Sequence, residues 1–160
     1  MRTRAFNSNI VQDLVCAFAR VALSAAFLSA VADRFGLWGP HGAPNVAWGD
    51  ITHFLAYSRH LTSRFPNQVS TILAWTATFA EVILGLLLLL GVRVRTTSLL
   101  SGLLLASFGA AMALASGPKA PLDASVLSAA AAAWLLSLQK PDRFTWDAQS
   151  VGVHRRGNAD

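Results

Sequence analysis

Charged residues and cysteine are both scarce in this sequence, and each scarcity excludes a class of protein. Only 13% of the 160 residues are charged, against about 25% in a typical soluble protein. The single cysteine, Cys16, excludes an internal disulfide and any CxxC redox or zinc motif. The four histidines form no HExxH or other ligand motif, so no metal site is predicted.

Apolar residues are correspondingly abundant. They make up 54% of the chain, and the mean hydropathy is +0.47, which favours an integral membrane protein. The net charge of +5 and the isoelectric point near 10.7 are high. The basic residues are scattered among apolar segments, however, and form no stripe with aromatics that would indicate nucleic acid.

Four apolar stretches predict an all-α fold, an integral membrane four-helix bundle that contacts the lipid bilayer. Each stretch carries small residues at four-residue spacing, which favours close helix packing and also permits a homo-oligomer. The predicted spans are residues 11–32, 69–91, 96–116 and 122–138. Residues 1–138 are thus predicted as one transmembrane domain, and residues 139–160 as a polar tail.

The first stretch has a second interpretation as a cleaved signal peptide. The sequence Ala30-Val31-Ala32 imitates a cleavage site after a basic start. Arg20 interrupts what should be an unbroken apolar region, so a membrane span is the favoured interpretation.

A long connection, residues 33–68, separates the first two spans. Glycine and proline cluster between Gly36 and Pro44 and exclude regular structure there. Gly49-Asp50 then predicts the start of a short helix from about Ile51 to Leu61, lying on the bundle or at the membrane interface. Connections of this length are often functional.

The distribution of basic residues predicts the orientation. Four crossings place both termini and the turn at 92–96 on one side, with eight lysines and arginines, while the other side has four. The positive-inside rule therefore predicts cytoplasmic termini and an external 33–68 connection, in a bacterial-type inner membrane.

Two full charges lie well inside the apolar spans, away from their ends. Glu81 is the single glutamate of the chain, and Arg20 lies in the first span. Counting from the cytoplasmic end of each span places both at a similar depth of about 13–15 Å. We expect a buried Arg20–Glu81 ion pair, either a structural pair that fixes the helix register or a site for a polar headgroup or a proton.

Further polar residues gather where the spans meet the external side. They are either interface and capping residues or a polar mouth over the bundle, in which His53 could exchange a proton with a ligand. This predicted outer mouth comprises Asp33, Arg34, Asp50, His53 and Asp123.

Several segments together resemble the DoxX family of four-helix membrane proteins. They are the arginine of the first span, ADRFGLWGP after it, the run ATFAEVILGLLLLLGVRVR, and GPKAPLDASV. The resemblance covers residues 14–138 and implies cytoplasmic termini and a link to membrane redox assemblies, such as a thiosulfate:quinone oxidoreductase. The residues to which it transfers are Arg20, Asp33, Arg34, Glu81, Gly85, Gly91 and Asp123.

Two functions remain open from the sequence, and enzymatic activity is uncertain. The first is a subunit of a redox-linked assembly that binds a quinone or similar amphiphile near Arg20 and Glu81, with an extrinsic partner supplying the electrons. The second is a non-enzymatic scaffold that docks a larger membrane complex through its external loop. No cofactor motif is present. A solute carrier is less favoured, because the spans show no broken half-helices.

Overall fold

The computed structural model describes residues 2–140 and 142–146, with side chains from Ile10 onward. Within these ranges the chain forms helices joined by turns and one long connection. The helices are α1 (Arg2–Arg34), α2 (Ile51–Leu61), α3 (Asn67–Leu90), α4 (Val94–Ser116), α5 (Lys119–Asp123) and α6 (Val126–Ser137). The all-α prediction is confirmed for this part of the chain.

Three helices are long and apolar enough to cross a membrane: Ile10–Arg34 within α1, and the whole of α3 and α4. They coincide with the first three predicted spans and confirm that each is a long apolar helix. Only about a third or less of each apolar window is buried inside the bundle. Large apolar side chains such as Phe18, Ile72 and Phe79 point outward, which in a protein with such helices indicates contact with lipid.

The fourth predicted span, residues 122–138, is not one continuous helix. The chain forms α5, breaks, and resumes as α6, because Ser125 adopts a left-handed conformation with φ of +53°. The 12 residues of α6 extend about 18 Å, short of the roughly 30 Å of a hydrocarbon core. Of the four predicted spans, three are thus long continuous helices, and the fourth is divided between α5 and α6.

Small residues bring α6 close to α4. A Cβ atom at Gly102 would lie 2.3 Å from the ring of Trp134, and one at Gly109 would lie 2.8 Å from Leu127. In lipid the hydrophobic effect does not drive helices together, so close van der Waals packing of this kind stabilises their association. The buried apolar cluster continues from this seam to α1 and α3, and includes Cys16, Leu23, Phe27, Leu84, Leu88, Val94, Ala133 and Leu136.

Side-chain contacts fix the register of α1 against α3. Arg34 donates a hydrogen bond to the Thr78 hydroxyl. The Ser24 hydroxyl donates to the carbonyl of Gly85, and Arg20 donates to the carbonyl of Leu88. In these contacts the residue numbers fall along α1 as they rise along α3, so the two helices are antiparallel. The last residue of α1 therefore lies level with the middle of α3, about 17–21 Å along the axis from the start of α3 at Asn67.

Helix α2 occupies the space that this stagger creates. It packs on α3 and α4 and touches α1, and its bounds match the predicted helix at Ile51–Leu61. Asp50 caps its first turn by accepting from the backbone N–H of His53 at 2.9 Å. The bundle thus has a loop end, which carries residues 35–66, and a turn end, which carries Gly91.

At the turn end, part of the predicted tail packs on the bundle. Asp142 and Thr145 are 1% and 0% exposed. Gly91, with φ of +70°, ends α3, and a Cβ there would lie within 3.0 Å of Thr145. Residues 147–160 of the predicted tail lie outside the described residues.

Candidate functional site: an ion pair beside an apolar cavity

Glu81 is buried inside the bundle, and its partner is the arginine that ends α1. The Arg34 Nη1 atom contacts the Glu81 Oε2 atom in an ion pair, and the same nitrogen donates to the Thr78 hydroxyl at 2.8 Å. Thr78 and Glu81 lie three residues apart and so share one face of α3. Both charged side chains are 3% exposed, and the pairing offsets part of the cost of burying each charge.

The predicted Arg20–Glu81 ion pair is therefore wrong, because Glu81 pairs with Arg34. The estimate of equal depth assumed that each span begins and ends at the membrane surface. The stagger of α1 against α3 instead brings Arg34 level with Glu81 and leaves Arg20 near the end of α3, at Leu88.

Arg20 stabilises the turn end. Its Nη1 atom donates to the carbonyls of Leu88 and Leu89 at 2.7 Å each, and these carbonyls belong to the last turn of α3, where the regular helical hydrogen bonds from residues four positions later are missing. A cation also interacts favourably with the dipole at this end of a helix. The Nε atom lies 3.4 Å from the Asp142 Oδ2 atom, so the guanidinium also holds the segment that follows α6.

Aromatic rings and the long connection hold Arg34 in place. Its guanidinium carbon lies 3.9 Å from the centroid of the Phe54 ring and 5.4 Å from that of Trp48, distances typical of cation–π contacts. Asp33 accepts from the backbone N–H groups of Ala47 and Trp48 at 3.0 and 3.1 Å. Of the predicted outer mouth, Asp33 and Arg34 thus lie buried around Trp48 rather than at the surface.

The other three residues of the predicted mouth are separate from this buried group. Asp50 pairs with His53, whose ring stacks on His41 with centroids 3.5 Å apart. Hydrogen bonds from the backbone and ring of His53 lower the pKa of Asp50 below its ordinary value. Asp123, at the start of the fourth predicted span, ends α5 and forms an exposed ion pair with Lys119.

Beside the Arg34–Glu81 pair lies a cavity of about 720 Å³, a volume typical of small-molecule sites. Its walls come from α1, α3, α4 and α6, and α2 contributes Phe54, Tyr57 and Leu61. Desolvation by burial raises the pKa of the Tyr57 hydroxyl above its ordinary value. Among the described residues that line the cavity, Arg34 and Glu81 are the only charged ones.

No sequence pattern indicates that Arg34 pairs with Glu81, or that Trp48 and Phe54 pack on Arg34. The pair could have been predicted by elimination: if Arg20 is assigned to the end of α3, Arg34 is the remaining arginine of the first span region that can pair with Glu81. No group of three histidine, cysteine or acidic side chains among the described residues is placed to hold a metal ion.

Comparisons with protein-family models, with curated proteins and with solved structures find no match to this chain. The interpretation of the site therefore depends on its geometry and on the chemistry of its side chains.

Proposed function

We propose that this protein is a multi-pass membrane protein that binds a small amphiphile within its helical bundle. The apolar body of the ligand occupies the cavity, and its polar head lies against Arg34 and Glu81. One observation carries the proposal: an apolar cavity of about 720 Å³ has a single buried ion pair among its lining residues. Ionisable residues at membrane depth mark functional sites by default.

A quinone is one ligand that suits such a site, since it joins a ring with carbonyl oxygens to a hydrocarbon tail. When bound, a quinone supplies redox chemistry, and an extrinsic partner would supply the electrons. Glu81 is the cavity residue that can hold or release a proton, and Arg34 is the residue that can orient a carbonyl oxygen. The resemblance to the DoxX family supports this redox-linked form of the proposal.

The proposed membrane arrangement follows the basic residues. The turn end, with Arg93 and Arg95, faces the cytoplasm, and the loop end faces outward in a bacterial-type inner membrane. The short apolar helix α6 packs on α4.

A second candidate function, a scaffold for a larger complex, is favoured by apolar residues exposed on the long connection. Phe35, Leu37 and Trp38 are 55%, 76% and 63% exposed. In this function the connection docks a partner protein and the cavity has no ligand.

The experiment that tests the main proposal fills the cavity. Ala77 lines it on α3, and Ala77→Phe adds a ring there without removing either charge. Ala25 on α1 is exposed and does not line the cavity, so Ala25→Phe is the matched control. Both proteins are extracted gently from their own membranes, and the bound lipids and quinones are identified by mass spectrometry.

We expect a stoichiometric amphiphile in the wild-type protein and in Ala25→Phe, and its loss from Ala77→Phe. Equal amounts in all three proteins, or none in the wild-type protein, contradict ligand binding in the cavity. A protein partner that co-purifies with all three, in the absence of any amphiphile, favours the scaffold.

A further inference from the structure

Helix α1 ends short of the level to which lipid-facing side chains extend on α3. Arg34, the last residue of α1, donates to Thr78. The outward-facing side chains of Ile72 and Leu73 lie about 8–9 Å nearer to the loop end than Thr78, at the rise of an α-helix. Large apolar side chains exposed on a membrane-spanning helix indicate contact with lipid. The hydrocarbon that covers α3 therefore extends past the level of Arg34 towards the loop end.

Large apolar side chains surround the end of α1 at this level. Phe35, Leu37 and Trp38 follow Arg34 and are each more than half exposed; we call them the α1 corner. The Trp38 Nε1 atom donates to Ser29, to its carbonyl oxygen at 3.2 Å and its hydroxyl at 3.1 Å. Ser29 precedes the end of α1 by more than one turn. The chain thus folds back after the helix and places the Trp38 ring along the flank of α1.

The last carbonyls of α1 are bonded without help from water. Gly36, with φ of +74°, follows the helix in a left-handed conformation. Its N–H group donates to the carbonyl of Asp33, and the N–H group of Leu37 donates to the carbonyl of Ala32, at 3.0 Å each. This pairing is a Schellman motif. Backbone groups in hydrocarbon must be bonded within the protein, and this helix end meets that requirement.

The side chains of the segment also suit hydrocarbon. Residues 35–40 read Phe-Gly-Leu-Trp-Gly-Pro and include no charged side chain. The indole N–H of Trp38 is the one polar side-chain group among them, and it is bonded to Ser29. A tryptophan of an interfacial belt has its polar end in the wet headgroup region. The Trp38 N–H group instead faces α1, so this ring has no need of headgroups or water.

We propose that the α1 corner contacts the acyl chains of bilayer lipids, so that the long connection begins within the bilayer and not at its outer surface. Lipid is the occupant because it covers α3 at this level and farther towards the loop end. The corner also offers no charge that a polar partner would recognise. This inference goes beyond ligand binding in the cavity. It gives a lipid partner to the exposed residues that favour the scaffold.

Nitroxide labels test whether the corner contacts lipid or water. Each label is attached to one introduced cysteine in a Cys16→Ala protein, which has no other cysteine. Leu37→Cys labels the corner, and Ile72→Cys is the hydrocarbon control. Arg64→Cys, at an exposed position between α2 and α3, is the aqueous control. In phosphatidylcholine liposomes, the collision rate of each label is measured with oxygen, which concentrates in hydrocarbon, and with a nickel chelate, which stays in water.

We expect the Leu37 label to match the Ile72 label, with more collisions with oxygen than with nickel, and the Arg64 label to show the reverse. A Leu37 label that matches the Arg64 label overturns the inference and favours a partner protein, because the liposomes contain none. A Leu37 label protected from both reagents means that a second copy of the chain covers the corner, which also overturns the inference. Cavity binding survives both results. If the Ile72 label also faces water, the proposed membrane arrangement fails with the inference.

Trp38 offers a second measurement that needs no label. Lipids brominated on their acyl chains quench a tryptophan that they contact. The loss of emission on changing from ordinary to brominated liposomes should be smaller in Trp38→Phe than in the wild-type protein, by the emission of Trp38. Equal losses in the two proteins would show that Trp38 has no contact with acyl chains.

Discussion

Two buried arginines in α1 have different tasks. Arg34 pairs with Glu81 beside the cavity. Arg20 binds the last carbonyls of α3 and lies beside Asp142. Its task is therefore structural: it joins α1, the end of α3 and the segment after α6.

Removing the Arg20 guanidinium should destabilise the turn end. Arg20→Leu leaves two helix-terminal carbonyls and the buried Asp142 carboxylate without their cation. Breaking a buried pair by removing one partner costs about 3–5 kcal/mol. We expect a lower midpoint of thermal unfolding in detergent, with Arg59→Leu, a change at an exposed arginine of α2, as the control.

The double variant Arg20→Leu, Asp142→Leu separates the carboxylate from the carbonyls. It removes the unpaired charge as well, so it should recover part of the lost stability. A double variant that is less stable than Arg20→Leu would show that Asp142 stabilises the bundle through contacts other than Arg20.

For Glu81, the sequence predicts the need for a partner but not which residue the partner is. The position of Glu81 in an apolar helix predicts that it needs a partner, and the structure supplies one. The identity of that partner depends on the stagger of α1 against α3, which is set by contacts such as that of Ser24 with Gly85. Counting residues from the ends of two separate spans cannot determine this stagger.

Among the elements, α2 is the one whose position most affects the cavity. It supplies Phe54 over Arg34 and Tyr57 in the wall. Its bounds were predictable because glycine and a capping aspartate precede an amphipathic segment. The break at Ser125 that shortens α6 was not, because serine rarely adopts a left-handed conformation and no glycine or proline marks the position.

The N-cap of α2 should make this helix sensitive to acid. The pKa of Asp50 is lowered by the hydrogen bonds that its carboxylate accepts from His53, so the folded protein binds this proton less readily than the unfolded chain. The stabilisation is complete above the unfolded pKa of about 3.9 and is lost as the pH falls through the lower folded value. Hydrogen exchange of α2 amides, normalised to intrinsic rates, should accelerate in that range.

Two variants test the origin of this effect. Asp50→Ala should accelerate exchange in α2 at all pH values, whereas Asp50→Asn still caps the helix and should remove the acid dependence alone. Exchange of α2 in Asp50→Ala that is as slow as in the wild-type protein would contradict the capping role of Asp50.

The whole molecule is a bundle whose outward side chains suit lipid and whose inner space is incompletely filled. Composition alone predicts the membrane class, and apolar windows predict three long helices. The cavity was not predictable, because it arises from the stagger of α1 against α3, the packing of α2 against Arg34 and the small residues of the walls. These are properties of how the helices pack together and not of any one segment.

The central claim is that this cavity holds an amphiphile whose head lies on the Arg34–Glu81 pair. Its most direct test is a density map of the protein extracted in native lipid, at a resolution that shows the side chains around Glu81. We predict an elongated density along the α3 and α4 walls, with one end within hydrogen-bond distance of Arg34. A bundle in which α2 and the walls close the space, with no density between them, would contradict the claim.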